Sequence, residues 1–331
     1  MKAVISTDAG GPEVLEWGDV PDPDYGPQDV VITVAAAGVN RADVMQRRGF
    51  YPPPPGASNI IGLECSGTIA AVGDEVSDWK VGDRVCALLA GGGYAETVVV
   101  PASLVLPVPE GMDLVDAAAI VEVACTVWSN LYAPYSIGRL QVGETLLVHG
   151  GSSGIGTMAI QMAKAKDNPV VVTVGNARKA EFCLELGAEA AINYRDEDFV
   201  ERINEITDGR GANVILDVVG AKYLDRNIDA LADDGRVVII GMQGGNTGEL
   251  QIGKLLGKRA LVGAASLRGR PLEGRGGKAD VVRGVRDDIW PLFDSGRLAP
   301  VIDSVMPMTD ARGAHERMES SEHIGKILLT T

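Results

Sequence analysis

Residues 146–165 read LLVHGGSSGIGTMAIQMAKA, and chemistry is first legible in the middle of that run. An apolar strand pattern ends at His149, then Gly150, Gly151, Ser152, Ser153, Gly154 and Gly156 follow. Ile155, Met158, Ala159, Met162 and Ala163 then recur at helical spacing. Small residues let the backbone approach an anion, and the free N–H groups at a helix start bind it. A strand before and a helix after are the context of a dinucleotide pyrophosphate site, with Ser153, Gly154 and Ile155 offering backbone amides. The competing reading is a tight packing turn.

About twenty residues on, where a site selective for a free ribose 2′-hydroxyl carries Asp or Glu, the chain reads Gly175-Asn176-Ala177-Arg178-Lys179. No carboxylate stands there. Two cations do, which favour a 2′-phosphate and so NADP(H) over NAD(H). Solvated residues of the next helix are the competing reading, although cations at a helix start are mildly unfavourable. Gly241, Met242 and Gln243 end a later strand, at the edge where such sheets bind ligands. Of three histidines, His149 ends the first strand and reads as structural. His315 lies in a charged amphipathic stretch and reads as surface, and His323 precedes the last strand as a candidate to approach the cofactor. None pairs with a Ser or Cys nucleophile in a recognisable motif, so hydrolysis has no support.

The elements that must position these residues fall into two styles. The first ~110 residues read as strands and turns. Pieces at 3–5, 30–34, 69–72, 84–89 and 94–100 are punctuated by Gly, Asp and Pro, and the run Pro52–Pro55 is held extended. Residues 113–132 are Ala-rich and apolar, which predicts one or two buried helices and a domain boundary. From Glu144 strands and helices alternate, with strands at 145–149, 170–174, 190–193, 213–218 and 236–241. Their unbroken apolar character predicts a parallel sheet covered on both faces. The tail carries a helix around 281–293 and a final strand at 326–330.

Composition bounds the rest. The 331 residues carry a formal charge of −15, which argues against nucleic acid or an anionic membrane as partner. Cys65, Cys86, Cys125 and Cys183 form no CxxC pair, so neither a zinc lobe nor a disulfide framework is expected, and reduced thiols fit a cytoplasmic protein. The N-terminus lacks a signal-peptide pattern, and no apolar run is long enough to span a membrane.

Several stretches, in this order and spacing, resemble the medium-chain dehydrogenase/reductase family: AAAGVNRADVMQRRGFYPPPPGAS, GLECSGTIAAVG, VGDRVCALLAGGGYAE, VHGGSSGIG, INYRDEDF, VILDVVG and HIGKILL. The likeness covers essentially the whole chain and is greatest to the zinc-free quinone oxidoreductase branch, in particular the tumour-suppressor-inducible type. It implies an α/β protein whose Rossmann domain, a doubly wound parallel sheet, is inserted into a Gly-rich, β-barrel-like (GroES-like) catalytic domain. The implied boundaries are 1–122, 123–265 and a return over 266–331, with the active site in the cleft and a homodimer as assembly. Alcohol dehydrogenases of this family place a cysteine where Asn40 stands, a histidine where Leu63 stands and a third ligand near Glu122. Asn and Leu cannot replace Cys and His at a tetrahedral zinc site. Without a Lewis acid, alcohol oxidation gives way to reduction of a ready hydride acceptor.

The resemblance also implies site residues. Asn40 and Thr126 fall at positions near the nicotinamide, and Tyr51 at a pocket tyrosine able to stack on a flat acceptor or donate to its oxygen. Gly175, Lys179 and Tyr194 fall at the adenosine-ribose end of the cofactor site, and Ser266 and Arg268 are weaker cofactor-binding candidates in the loop that returns to the catalytic domain. One departure is the segment EVACT at 122–126, where close relatives carry aromatic residues. The implied activity is NADPH-dependent reduction of a quinone, with Tyr51 and Asn40 as the catalytic pair. An enone or enoyl thioester reductase is the alternative, for which Tyr51 or water is the only proton source in view. A cofactor-binding regulator without turnover is the second alternative.

Overall fold

Antiparallel strands dominate the start of the chain: β1 (Lys2–Ser6), β2 (Leu15–Asp19), β3 (Asp29–Val39), β4 (Glu64–Val72), β5 (Arg84–Leu88), β6 (Thr97–Pro101) and β7 (Val105–Pro107). One helix, α1 (Arg41–Arg47), interrupts them. The expectation of strands and turns alone misses α1, and the piece expected at 30–34 extends over all of β3. Residues 113–132 form a short 3-10 turn and then α2 (Val121–Leu131).

The alternating region follows as β8 (Leu146–His149), α3 (Gly154–Ala165), β9 (Val170–Val174), α4 (Ala177–Leu186), β10 (Ala190–Asn193), α5 (Phe199–Ile206), β11 (Ala212–Asp217), α6 (Leu224–Ala230), β12 (Leu231–Ile239), α7 (Ile252–Lys258) and β13 (Leu261–Ala264). In the tail, the single helix expected is two, α8 (Lys278–Asp288) and α9 (Trp290–Asp294), because Pro291 cannot continue the first. Then come β14 (Ile302–Pro307), α10 (Ala311–Ser320) and β15 (Lys326–Thr330).

This computed structural model describes residues 1–331, which divide into two units: Met1–Cys125 with Arg268–Thr331, and Thr126–Leu267. In the first unit the tail completes the sheet. The strand order is β14-β15-β3-β4-β5-β7, with β6 paired to β3 and the separate hairpin β1-β2. Its register sets the site. Ile327 faces Val39 across β15 and β3, and Ala37 faces Cys65 across β3 and β4. Lys326, the turn after Val39, and Glu64 are thereby brought to one end of three neighbouring strands.

In the second unit all six strands are parallel in the order β10-β9-β8-β11-β12-β13. This is the doubly wound dinucleotide-binding order, with its reversal between β8 and β11. Leu147, Val171, Ile192, Phe199, Ile203, Ile215 and Val237 fill its core. No helix is long and apolar enough to cross a membrane.

Candidate functional site

In the second unit the glycine-rich turn joins β8 to α3 as the sequence predicts. Ser153 caps the helix, its Oγ accepting from the Gly156 amide at 3.0 Å. Gly154 and Ile155 are the first two residues inside the helix start and are half-exposed, and at that position their amides have no intrahelical acceptor. A Cβ on Gly156 would fall 2.4 Å from the Gly150 carbonyl oxygen, so only glycine lets the turn fold this tightly. These features fit a pyrophosphate: a cradle of small residues with free amides at the positive end of a three-turn helix.

The end of β9 lies beside it, and beyond buried Gly175 the chain emerges at exposed Ala177 and Arg178. Asn176 caps α4 through its side chain to the Lys179 amide, 2.9 Å. Tyr194 is exposed, and its hydroxyl stands so near Gly175 that a Cβ there would lie 2.6 Å from it. Gly175 and Tyr194, expected at one end of the site, are thus neighbours, and Arg178 and Lys179 follow on the first turn of α4. Gly241, Met242 and Gln243 follow β12, with Met242 and Gln243 exposed. Ser266 is exposed after β13, and Thr126 is buried in α2.

His149 is structural. Asn227 donates its Nδ2 to Asp217 (3.0 Å), so its Oδ1 must accept, and His149 Nε2–H donates to it at 2.8 Å. The edges of Phe199 and Tyr223 enclose the ring. Burial, with help from the Arg226 charge, pushes its pKa down to about 4 against the Asn227 bond, which keeps it a neutral wedge. Burial also lifts Asp217 to about 6, although the Val219 and Gly220 amides and Asn227 hold its carboxylate.

In the first unit Asn40 ends β3 and opens α1. Its backbone amide donates to Asp43 at 2.7 Å. Its side chain bridges two charged groups: Lys326 Nζ donates to Oδ1 at 2.6 Å, and Nδ2 donates to Glu64 Oε1 at 3.0 Å. Lys326 and Glu64 are themselves paired at 2.6 Å, both buried. The second Glu64 oxygen accepts from the Glu122 amide at 2.9 Å, in the first turn of α2, where a helix favours negative charge.

Tyr51 is half-buried ahead of the proline run. Arg268 holds that segment with every edge of its guanidinium, donating to the carbonyls of Ala90 (2.8 Å) and Tyr51 (3.2 Å) and to Gln46 Oε1 (2.7 Å). Its charge also sits 5.3 Å from the Tyr51 ring centre. His323 is buried just before β15.

The surface expectation for His315 is wrong: the ring is fully buried. Ala311, Ala314, His315 and Met318 form the buried stripe of α10. Arg47, which only donates, lies 3.3 Å from Nδ1, so the ring proton is on Nε2 and points to the Tyr94 hydroxyl, 3.3 Å away. Tyr94 in turn donates to Asp43 at 3.0 Å. The chain of bonds from α10 therefore ends on the carboxylate that holds the Asn40 amide.

The comparisons agree with this architecture. The alcohol dehydrogenase GroES-like domain model matches residues 26–110, and the zinc-binding dehydrogenase model matches 154–274. A quinone oxidoreductase of Pseudomonas aeruginosa is 32% identical, the alignment covering 97% of this chain and 96% of that one. The chain belongs to the medium-chain dehydrogenase/reductase family. Within this family the human synaptic vesicle membrane protein VAT-1 homolog is 30% identical over 99% of this chain and 86% of its own length. The crystal structure of Escherichia coli quinone oxidoreductase complexed with NADPH matches with a TM-score of 0.88 at 31% identity, both chains fully covered. Membership in the quinone oxidoreductase branch and the pairing of a GroES-like with a Rossmann domain follow.

Two of the positions at which the resemblance places zinc ligands are Leu63 and Asn40. Leu63 is a buried alkyl group, and the Asn40 oxygen already accepts from an ammonium. No group of three or more His, Cys, Asp and Glu side chains is placed to hold a metal ion. All four cysteines are buried thiols, with pKa values raised by burial.

Proposed function

We propose that this protein is a zinc-independent, NADPH-dependent reductase of quinones. The observation that carries the reading is the glycine-rich cradle at the start of α3, in a chain alike over its full length to a quinone oxidoreductase that binds NADPH. Ser153, Gly154 and Ile155 bind the pyrophosphate. Gly175, Lys179 and Tyr194 hold the adenosine end, with Lys179 drawn to the 2′-phosphate. Gly241, Met242, Gln243 and Ser266 line the path of the cofactor, and Asn40, Thr126 and His323 serve its nicotinamide half. Bound NADPH supplies the hydride.

Tyr51 stacks on the flat acceptor or donates to its oxygen, and Arg268 fixes the segment that carries it. A quinone needs no Lewis acid to accept a hydride, which suits a site where Lys326 takes the Asn40 oxygen. The proposed partner is a second copy of the chain. β13 is an unpaired sheet edge, and Leu261 within it and Leu256 in the preceding α7 are exposed.

Anaerobic stopped-flow oxidation of NADPH against ortho-quinones, enones and enoyl thioesters tests the activity. Rapid turnover of an ortho-quinone is expected, with no oxidation of ethanol by NADP⁺. Turnover of enoyl thioesters alone would replace the quinone with the enone reading. NADPH binding without oxidation by any acceptor would make the protein a cofactor-binding regulator.

A further inference from the structure

A cation taken out of water is normally held by an anion, and this chain breaks that rule beside the pocket tyrosine. Arg47, Arg268 and Lys326 are buried. Arg47 pairs with Glu319 and Lys326 with Glu64. Arg268 has no such partner. Its acceptors are the carbonyls of Ala90 and Tyr51 and the amide oxygen of Gln46, all neutral. Asp43, whose charge it feels, is already committed to the Asn40 amide and the Tyr94 hydroxyl. Half-buried Lys278 stands close by, and its Nζ has one acceptor, the Arg268 carbonyl at 3.4 Å. Burial pushes its pKa below the ordinary lysine value, and the Arg268 charge pushes it further.

The surroundings supply no anion. Between residues 266 and 278, Arg268, Arg270, Arg275 and Lys278 stand against Glu273 alone, which is exposed. Lys278 is the first residue of α8, where a helix favours negative charge. Asp280, in that same turn, accepts from the Gly276 amide and pairs with Arg283. A chain of formal charge −15 thus concentrates uncompensated positive charge at one place. That place borders Tyr51, whose ring centre is 5.3 Å from the Arg268 guanidinium.

We infer that Lys278, backed by Arg268, binds an oxyanion substituent on the acceptor, so that the substrate is a quinone bearing a carboxylate. Its flat ring meets Tyr51 while its charged group meets the two cations. The unpaired charge is unfavourable in the protein alone and is satisfied when such an acceptor binds. Lys278 is then the residue that separates charged from uncharged acceptors. The inference rests on the quinone reduction proposed above and narrows its substrate class.

The test compares two acceptors with the same ortho-quinone, phenanthrenequinone and its carboxylate derivative, at saturating NADPH. Wild type is expected to favour the carboxylate in kcat/KM, and high salt to shrink the preference. Lys278→Met is expected to lower the preference about tenfold, the scale of one charged hydrogen bond, and Lys278→Arg to retain it. The Lys278→Met protein is expected to melt no lower than wild type, because the substitution removes an unpaired charge from a helix start. Titration with phenanthrene carboxylate and the matching carboxamide, neither of which is reduced, reads the same site without turnover.

Equal losses on both quinones with a lowered melting temperature would make Lys278 a structural residue and overturn the inference. Wild type without a carboxylate preference in either turnover or titration would also overturn it. So would weakened NADPH binding by Lys278→Met with the preference intact, which would give the cations to the cofactor's phosphates. A carboxylate preference in the titration, with neither quinone reduced, would support the anion site and end the quinone reading instead.

Discussion

Acid should act on this protein through His315, by an amount that can be worked out. Burial first, then the charges of Arg47 and Arg41, pushes its pKa from an ordinary 6.5 down to about 3. The unfolded chain thus takes up a proton well before the folded chain does. A depressed pKa of this kind leaves stability intact above the unfolded value and removes it as pH falls toward the folded value. Between about pH 7.5 and about pH 5 the loss is about 2 kcal/mol, and near pH 3 about twice that. Protonation would also set an Nδ1–H against the Arg47 N–H, with no acceptor between them. His315→Gln keeps an oxygen for Arg47 and an N–H for Tyr94 but does not titrate. Asp43, raised to about 6 chiefly by burial, acts in the opposite sense: its contribution is present at low pH and lost as pH rises through 6. It remains in both proteins and drops out of their difference. Urea unfolding of wild type and variant across this pH range is the assay. The variant should gain about 2 kcal/mol on wild type by about pH 5. A difference that does not change with pH would refute the buried, neutral assignment.

Three further outcomes are expected. Lys179→Ala should weaken NADPH by about 1–3 kcal/mol, the scale of a charged hydrogen bond, and leave NADH nearly unchanged; titration with both cofactors decides, and equal losses would remove Lys179 from the 2′-phosphate. Tyr51→Phe should lower quinone turnover modestly and Tyr51→Ala more, and steady-state kinetics matching wild type for both would make Tyr51 a packing residue. Elemental analysis should find no stoichiometric zinc and chelation should leave activity unchanged, whereas activity lost on chelation and restored by zinc would end the metal-independent reading.

The Rossmann half was largely legible because its signals are local. β8, β9 and β10 are short apolar runs, and the turn at 150–156 sits between a strand and a helix in every reading. The first unit was less legible because its decisive contacts are remote. Lys326 and Glu64 lie 262 positions apart, and nothing local to either reports the β15–β3–β4 register that joins them. Two misses did leave a local trace. Asn40 with Asp43 three residues on is a helix-start pattern, but the seven residues of α1 are too few to establish a period. Ala311, Ala314, His315 and Met318 recur at helical spacing. Reading that stretch by its charges alone put His315 on the wrong face.

The buried pair of Glu64 and Lys326 is hard to justify by stability. Desolvating two charges costs about as much as their attraction returns, and an apolar pair of similar volume is often no less stable. What an apolar pair cannot do is tell the two ends of an amide apart. An ammonium that only donates and a carboxylate that only accepts, placed on either side of Asn40, leave its side chain one arrangement. The His315–Tyr94–Asp43 chain fixes the backbone of the same residue from the other side. Asn40 is therefore held at both its amides, main-chain and side-chain, by groups drawn from β4, β15, α1 and α10. Such restraint is costly for a surface turn and is expected of a residue whose position matters to a bound molecule.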